Sequence, residues 1–99
     1  MILPQDCTTM ADVRAGVDDI DRQLAALIGT RFRFMDAAAR IKPARGAVRD
    51  EWRKAQVIDN AAVNAEANDW PVDAARQLWE HLVEASIGYE FDRFDERGN

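Results

Sequence analysis

At 99 residues and a net charge of −5, the chain has the length of one domain, 1–99, and lacks the overall basic surface by which general nucleic-acid or membrane-surface binders attract phosphates. Gly and Pro are few, and apolar residues make up 47% of the chain and recur at helical spacing, so an all-α fold is expected with no competing strand signal. No run of about 18 apolar residues and no signal-peptide pattern occurs, and one cysteine (Cys7) with one histidine (His81) leaves no internal disulfide and no Cys/His metal cluster, so a cytoplasmic protein without metal is expected.

The first predicted helix runs from about Thr9 to Ile41 or Lys42. Thr8 and Thr9 are candidate N-caps, Asp12 favours the positive end, and no break interrupts the pattern before Pro43. That is about 50 Å of helix. It cannot fold back on itself, so its far half needs covering by something else, most simply a second copy of the chain. Residues 43–48 hold Pro43 and Gly46 without periodicity and read as a loop able to close over a site.

A second helix is expected from about Arg49 to Asn68. Its sparse apolar face is Trp52, Ala55, Val57, Ile58, Ala62 and Val63, beside a polar line of Asn60, Asn64 and Asn68. Pro71 suits the first turn of a third helix, on which Ala75, Leu78, Trp79, Leu82, Val83, Ser86 and Glu90 should face inward before a polar tail from Asp95. The Trp and Phe residues read as core, and Cys7 and His81 as structural or surface residues.

Two cations interrupt the first helix's apolar stripe. Val13, Val17, Ile20, Leu24, Leu27 and Ile28 are followed at the same spacing by Arg31, then by Met35, Ala38 and Lys42. An inward cation left without a counter-charge costs several kcal/mol, so each either pairs with a carboxylate of another helix or lines a site for an anionic ligand. Both readings stand on this pattern alone. Arg31 and Lys42 are 11 residues apart, almost three turns, so they share a face roughly 16 Å apart, while Arg14 lies about 25 Å from Arg31. Two first helices packed antiparallel in a dimer would bring Arg14 of one chain to Arg31 and Lys42 of the other. On the third helix, Ser86 and Glu90 stand one turn apart on a mostly apolar face, and Arg53 sits near the start of the second.

The stretch PQDCTTMADVRAGVDDIDRQLAALIGTRFRFMDAAARIK resembles the first helix of the all-helical chorismate mutase family, in its V-R start, I-D-x-x-L-x-x-L-I centre, Arg31 and Lys42. Its D-C-T opening and overall length are most similar to the isochorismate pyruvate lyases of salicylate biosynthesis. Downstream, VRDEWR at 48–53 and LWEHLVEASIGYE at 78–90 resemble the family's second and third helices, so the likeness spans almost the whole chain.

The resemblance implies an intertwined homodimer of three-helix chains, each site taking a small dicarboxylate, chorismate or isochorismate. It implies that Arg14 from the partner chain and Arg31 hold the two carboxylates. Lys42 would hydrogen-bond the ether oxygen and a carboxylate, Arg53 would support a carboxylate, and Glu90 would stand across the ether oxygen. Asp50 and Ser86 match supporting positions around the ring hydroxyl and the pocket wall. The implied pericyclic chemistry needs no nucleophile, metal or cofactor. It needs a held conformer and stabilisation of charge on the ether oxygen as the C–O bond breaks.

Two departures from the family bear on the reaction. Lys54 stands where many mutases carry a Glu that binds the ring hydroxyl, which fits a lyase or a changed hydroxyl position better. Glu90 stands where the lyases and several mutases carry Gln, and a carboxyl group donates to an ether oxygen only when protonated. The leading expectation is a chorismate mutase forming prephenate. The alternatives are an isochorismate pyruvate lyase and a non-catalytic helical dimer that regulates a partner enzyme.

Overall fold

The computed structural model describes residues 2–97. They form three α-helices, α1 (Met10–Ile41), α2 (Glu51–Ala67) and α3 (Val72–Glu96), with single 3₁₀ turns at Pro4–Asp6 and Arg45–Ala47 and no strand among the described residues. The chain divides into two compact units, one reaching to Phe34 and one beginning at Met35.

In the first unit, Thr9 caps α1 as its sequence suggests. Its Oγ1 accepts from the Asp12 N–H at 3.1 Å, while Asp12 Oδ2 accepts in return from the Thr8 N–H at 3.1 Å and the Thr8 hydroxyl at 3.3 Å. Reciprocal bonds of this kind satisfy donors that a helix start leaves open. The Thr8 amide, above all, holds the Asp12 carboxyl below its ordinary range. The apolar stripe that follows is left in solvent: Val17 is 52% exposed and Leu27 68%, and Ile20, Leu24 and Ile28 are also exposed. Ile2, Pro4, Val13, Val17 and Ile20 line an apolar groove beside it.

The second unit carries the core. Val48, Val83 and Ile87 are buried, with Val57, Trp79, Phe91 and Phe94 packed against them. Helix α2 starts one residue after Asp50, whose Oδ1 accepts from the Arg53 N–H at 3.0 Å as an N-cap. It ends in a Schellman motif: the Trp70 N–H reaches the Ala65 carbonyl at 3.0 Å and the Asp69 N–H the Glu66 carbonyl at 3.2 Å. Asp69 takes the left-handed conformation (φ 61) that this motif requires and that Asp tolerates better than most residues.

Several expected core positions are corrected. The buried face of α2 is Ala61, Ala62 and Ala65 with half-buried Val57 and Ile58, whereas Trp52 (72% exposed) and Val63 lie on the opposite side and Ala55, two turns before Ala62, is exposed. The helix turns its small residues to α3 because alanines allow close backbone approach, and Trp52 and Val63 have a different register despite their hydrophobicity. On α3, Leu78 is exposed and Ile87 is buried in its place. Phe34 is exposed as well, so not every aromatic residue is core. The expected polar tail is helical through Glu96, with the last two residues outside those described.

Candidate active site

Pro43 ends α1, because it has no N–H to continue the ladder, and the last main-chain bond runs from the Lys42 N–H to the Ala38 carbonyl at 2.9 Å. Lys42 therefore sits just past the helix. Its ammonium donates to Glu90 Oε2 at 2.6 Å and to the Val48 carbonyl at 3.4 Å. Glu90 is 4% exposed, held on the core face of α3 by the spacing it shares with Val83, Ser86 and Ile87. An opposite charge at this distance offsets the cost of desolvating a carboxylate, which explains how Glu90 occupies an apolar face. One turn before it, the buried Ser86 hydroxyl donates to the Leu82 carbonyl at 2.7 Å.

Val48, buried at 4%, anchors residues 43–48 in the core, and its carbonyl is the second acceptor for Lys42. The segment read as a loop able to close over a site carries the Arg45–Ala47 turn and is fastened to the core through Val48. The Arg45 guanidinium pairs with Asp95 at 2.9 and 3.3 Å and lies 4.4 Å over the Phe91 ring. That bond pushes Arg45 up and holds Asp95 below the usual carboxylate range.

The other expected site residues are distributed as follows. Asp50 and Arg53 meet at the α2 N-cap, and the exposed Arg53 side chain donates to Gln56 Oε1 at 2.7 Å. Arg14 and Arg31 belong to the first unit, where Arg14 is exposed and Arg31 half-buried. His81 is exposed.

Lys54 stands in a network that sequence reasoning missed. Its ammonium, 17% exposed, donates to Glu80 at 2.8 Å and Glu84 at 2.9 Å, and Glu84 also takes both terminal nitrogens of Arg49 at 2.9 and 3.1 Å. Arg49 first, then Lys54, holds the Glu84 carboxyl down at about 2, while Glu80 and Glu84 push the Lys54 ammonium up. The i,i+4 spacing of Glu80 and Glu84 was the available signal, but only packing of α2 on α3 selects their partners. Among the described residues no cluster of three or more His, Cys, Asp or Glu is arranged to hold a metal, and no helix is long and apolar enough to cross a membrane.

Residues 13–91 match the protein family described as Chorismate mutase type II. Over 83 residues the chain is 35% identical to the isochorismate pyruvate lyase of Pseudomonas aeruginosa, covering 84% of this chain and 82% of that protein.

Proposed function

Because the chain belongs to the chorismate mutase type II family, we propose that it is an enzyme that rearranges chorismate to prephenate without a cofactor. The observation that carries the site assignment is the Lys42–Glu90 pair, a cation and a buried carboxyl group held 2.6 Å apart. In this reading the pair opens as substrate enters, and the ether oxygen displaces Glu90 Oε2 from the Lys42 ammonium and lies between the two groups. The Lys42 ammonium donates to it as the C–O bond lengthens and negative charge grows there, and Glu90 stands on its other side. The new C–C bond forms as the C–O bond breaks, so no group on the protein is modified. Arg31 and the partner's Arg14 hold the two carboxylates, with Arg53 supporting one of them and Asp50 and Ser86 bordering the ring. Their task is to keep the enolpyruvyl arm over the ring in the reactive conformer.

The site is completed by a second copy of the chain. The exposed stripe from Val17 to Ile28 supports this, since a contiguous apolar row of this length marks an interface. A cytoplasmic homodimer is the form in which the reading places the enzyme, and enzyme-family membership weighs against a purely regulatory helical dimer.

The relative's identity as an isochorismate pyruvate lyase supports a second activity on isochorismate, releasing salicylate and pyruvate. Lys54 favours it too, because its ammonium is taken up by Glu80 and Glu84. Micromolar protein is incubated with chorismate between pH 5 and 8, and separately with isochorismate while salicylate fluorescence is followed. Prephenate formation supports the mutase, salicylate formation the lyase, and both products a dual enzyme. Chorismate left intact across the range removes the leading reading.

A further inference from the structure

The turn that carries Lys42 is fastened by a residue outside every expected site. Pro43 deprives the Ala39 carbonyl of the N–H that the next helical turn would have supplied, and Ala39 is 2% exposed, so water does not replace it. Arg97 replaces it. Its Nη1 donates to the Ala39 carbonyl at 2.8 Å, to the Lys42 carbonyl at 2.6 Å and, at a longer 3.3 Å, to the Arg40 carbonyl. The guanidinium lies 3.8 Å from the centre of the Phe94 ring, and Phe94 packs against the core. Arg97 is also the C-cap residue of α3, with its own N–H on the Phe94 carbonyl. One residue therefore closes two helices: its backbone ends α3, and its side chain ends α1 where a positive charge complements the open carbonyls.

We propose that Arg97 is a positioning residue for the reaction, setting the exit of α1 so that the Lys42 ammonium is held on Glu90 before substrate arrives. The Lys42 carbonyl is bonded by Arg97 and its ammonium by Glu90, so the residue is gripped from α3 at both its main chain and its side chain. Arg45 on Asp95 and Phe91 secures the far side of the same turn. Releasing Arg97 removes its donors from the Ala39, Arg40 and Lys42 carbonyls and frees the main chain that carries Lys42. Glu90 remains in the core, and the ammonium loses its fixed place opposite it. Because the preorganised donor is what a developing oxyanion requires, the loss falls on turnover more than on binding.

This inference rests on the assignment of Lys42 to the ether oxygen, and its test separates the two. R97M keeps an unbranched stem over Phe94 but removes the donors, and R97K restores a cation. In the assembled protein, R97M is expected to lower kcat for chorismate by about tenfold to 100-fold with little change in KM, and R97K to recover most of that loss. On a K42M background R97M adds no further loss, as two residues acting through one step require. Amide hydrogen exchange gives a readout independent of turnover: R97M speeds exchange at Lys42, Ala47 and Val48 while Ala61, Ala62 and Val83 stay protected. If R97M leaves either kcat or that local protection unchanged, or if protection falls across the whole unit, the positioning role is overturned. If the wild-type protein turns over neither chorismate nor isochorismate while exchange responds as described, it is the functional reading that fails and the clamp that stands.

Discussion

Lys42 Nζ lies 2.6 Å from Glu90 Oε2, joining the end of α1 to a carboxyl group that α3 buries in the core. The two residues are 48 positions apart, so this pair exists only through the packing of the second unit. It also holds together the two groups assigned to opposite sides of the ether oxygen.

Glu90 is tested by changing what its side chain can donate. An amide always carries a donor and an isobutyl side chain none, so E90Q is expected to keep turnover of chorismate within about tenfold of wild type and E90L to lose about 10²-fold. K42M lowers kcat by about 10²–10³-fold, the usual cost of removing an oxyanion donor. An E90L variant as active as E90Q removes Glu90 from contact with the ether oxygen.

The proposed sharing of each site between two chains predicts a complementation signature. R14A and R31A homodimers are each impaired, because every site lacks one arginine. Mixed and allowed to exchange subunits, they form hybrids in which one site has both arginines and the other has neither. Random exchange makes about a quarter of all sites intact, and activity recovers toward about a quarter of wild type. No recovery, with exchange verified by mass spectrometry, argues that both arginines come from one chain.

The same assembly predicts the effect of a charge on the stripe. L24E places a carboxylate within the exposed apolar row that includes Ile20, Leu27 and Ile28. Sedimentation equilibrium should show a dimer for wild type and a monomer or a strongly weakened dimer for L24E, with turnover lost in parallel. A wild-type monomer that turns over chorismate would rule out the shared site.

Acid should loosen the α2–α3 contact through Glu84. Arg49 and Lys54 hold its carboxyl at about 2 against an ordinary 4.5, so its contribution to stability is complete above about pH 4.5 and is lost as pH falls through 2. E84Q is expected to be less stable than wild type at neutral pH and to converge with it near pH 2, as read from melting temperature against pH. The carboxylate is partly exposed, so added salt reduces the difference.

The helical class, the position of α1 and its Thr9 cap were legible in the amino-acid sequence because they depend on contacts within a few residues. So was the significance of Lys42 and Glu90, since a charge at an apolar position of a helix signals a partner or a ligand. The inward face of α2 was not legible. Its alanines carry little hydrophobic signal, while Trp52 and Val63 carry much of it on the opposite side. Arg97 was read as part of a polar tail, although the reason for its role, the missing N–H of Pro43, is written in the chain.

What the sequence by itself determined is therefore local and periodic: where helices start and stop, which residue types interrupt their stripes, and a family resemblance spread over nearly all of the chain. Tertiary structure decided the pairings, Lys42 with Glu90, Lys54 with Glu80 and Glu84, and Arg97 with the end of α1. Long charged side chains reach several neighbours from one helical position, and only the packing of the helices chooses among them.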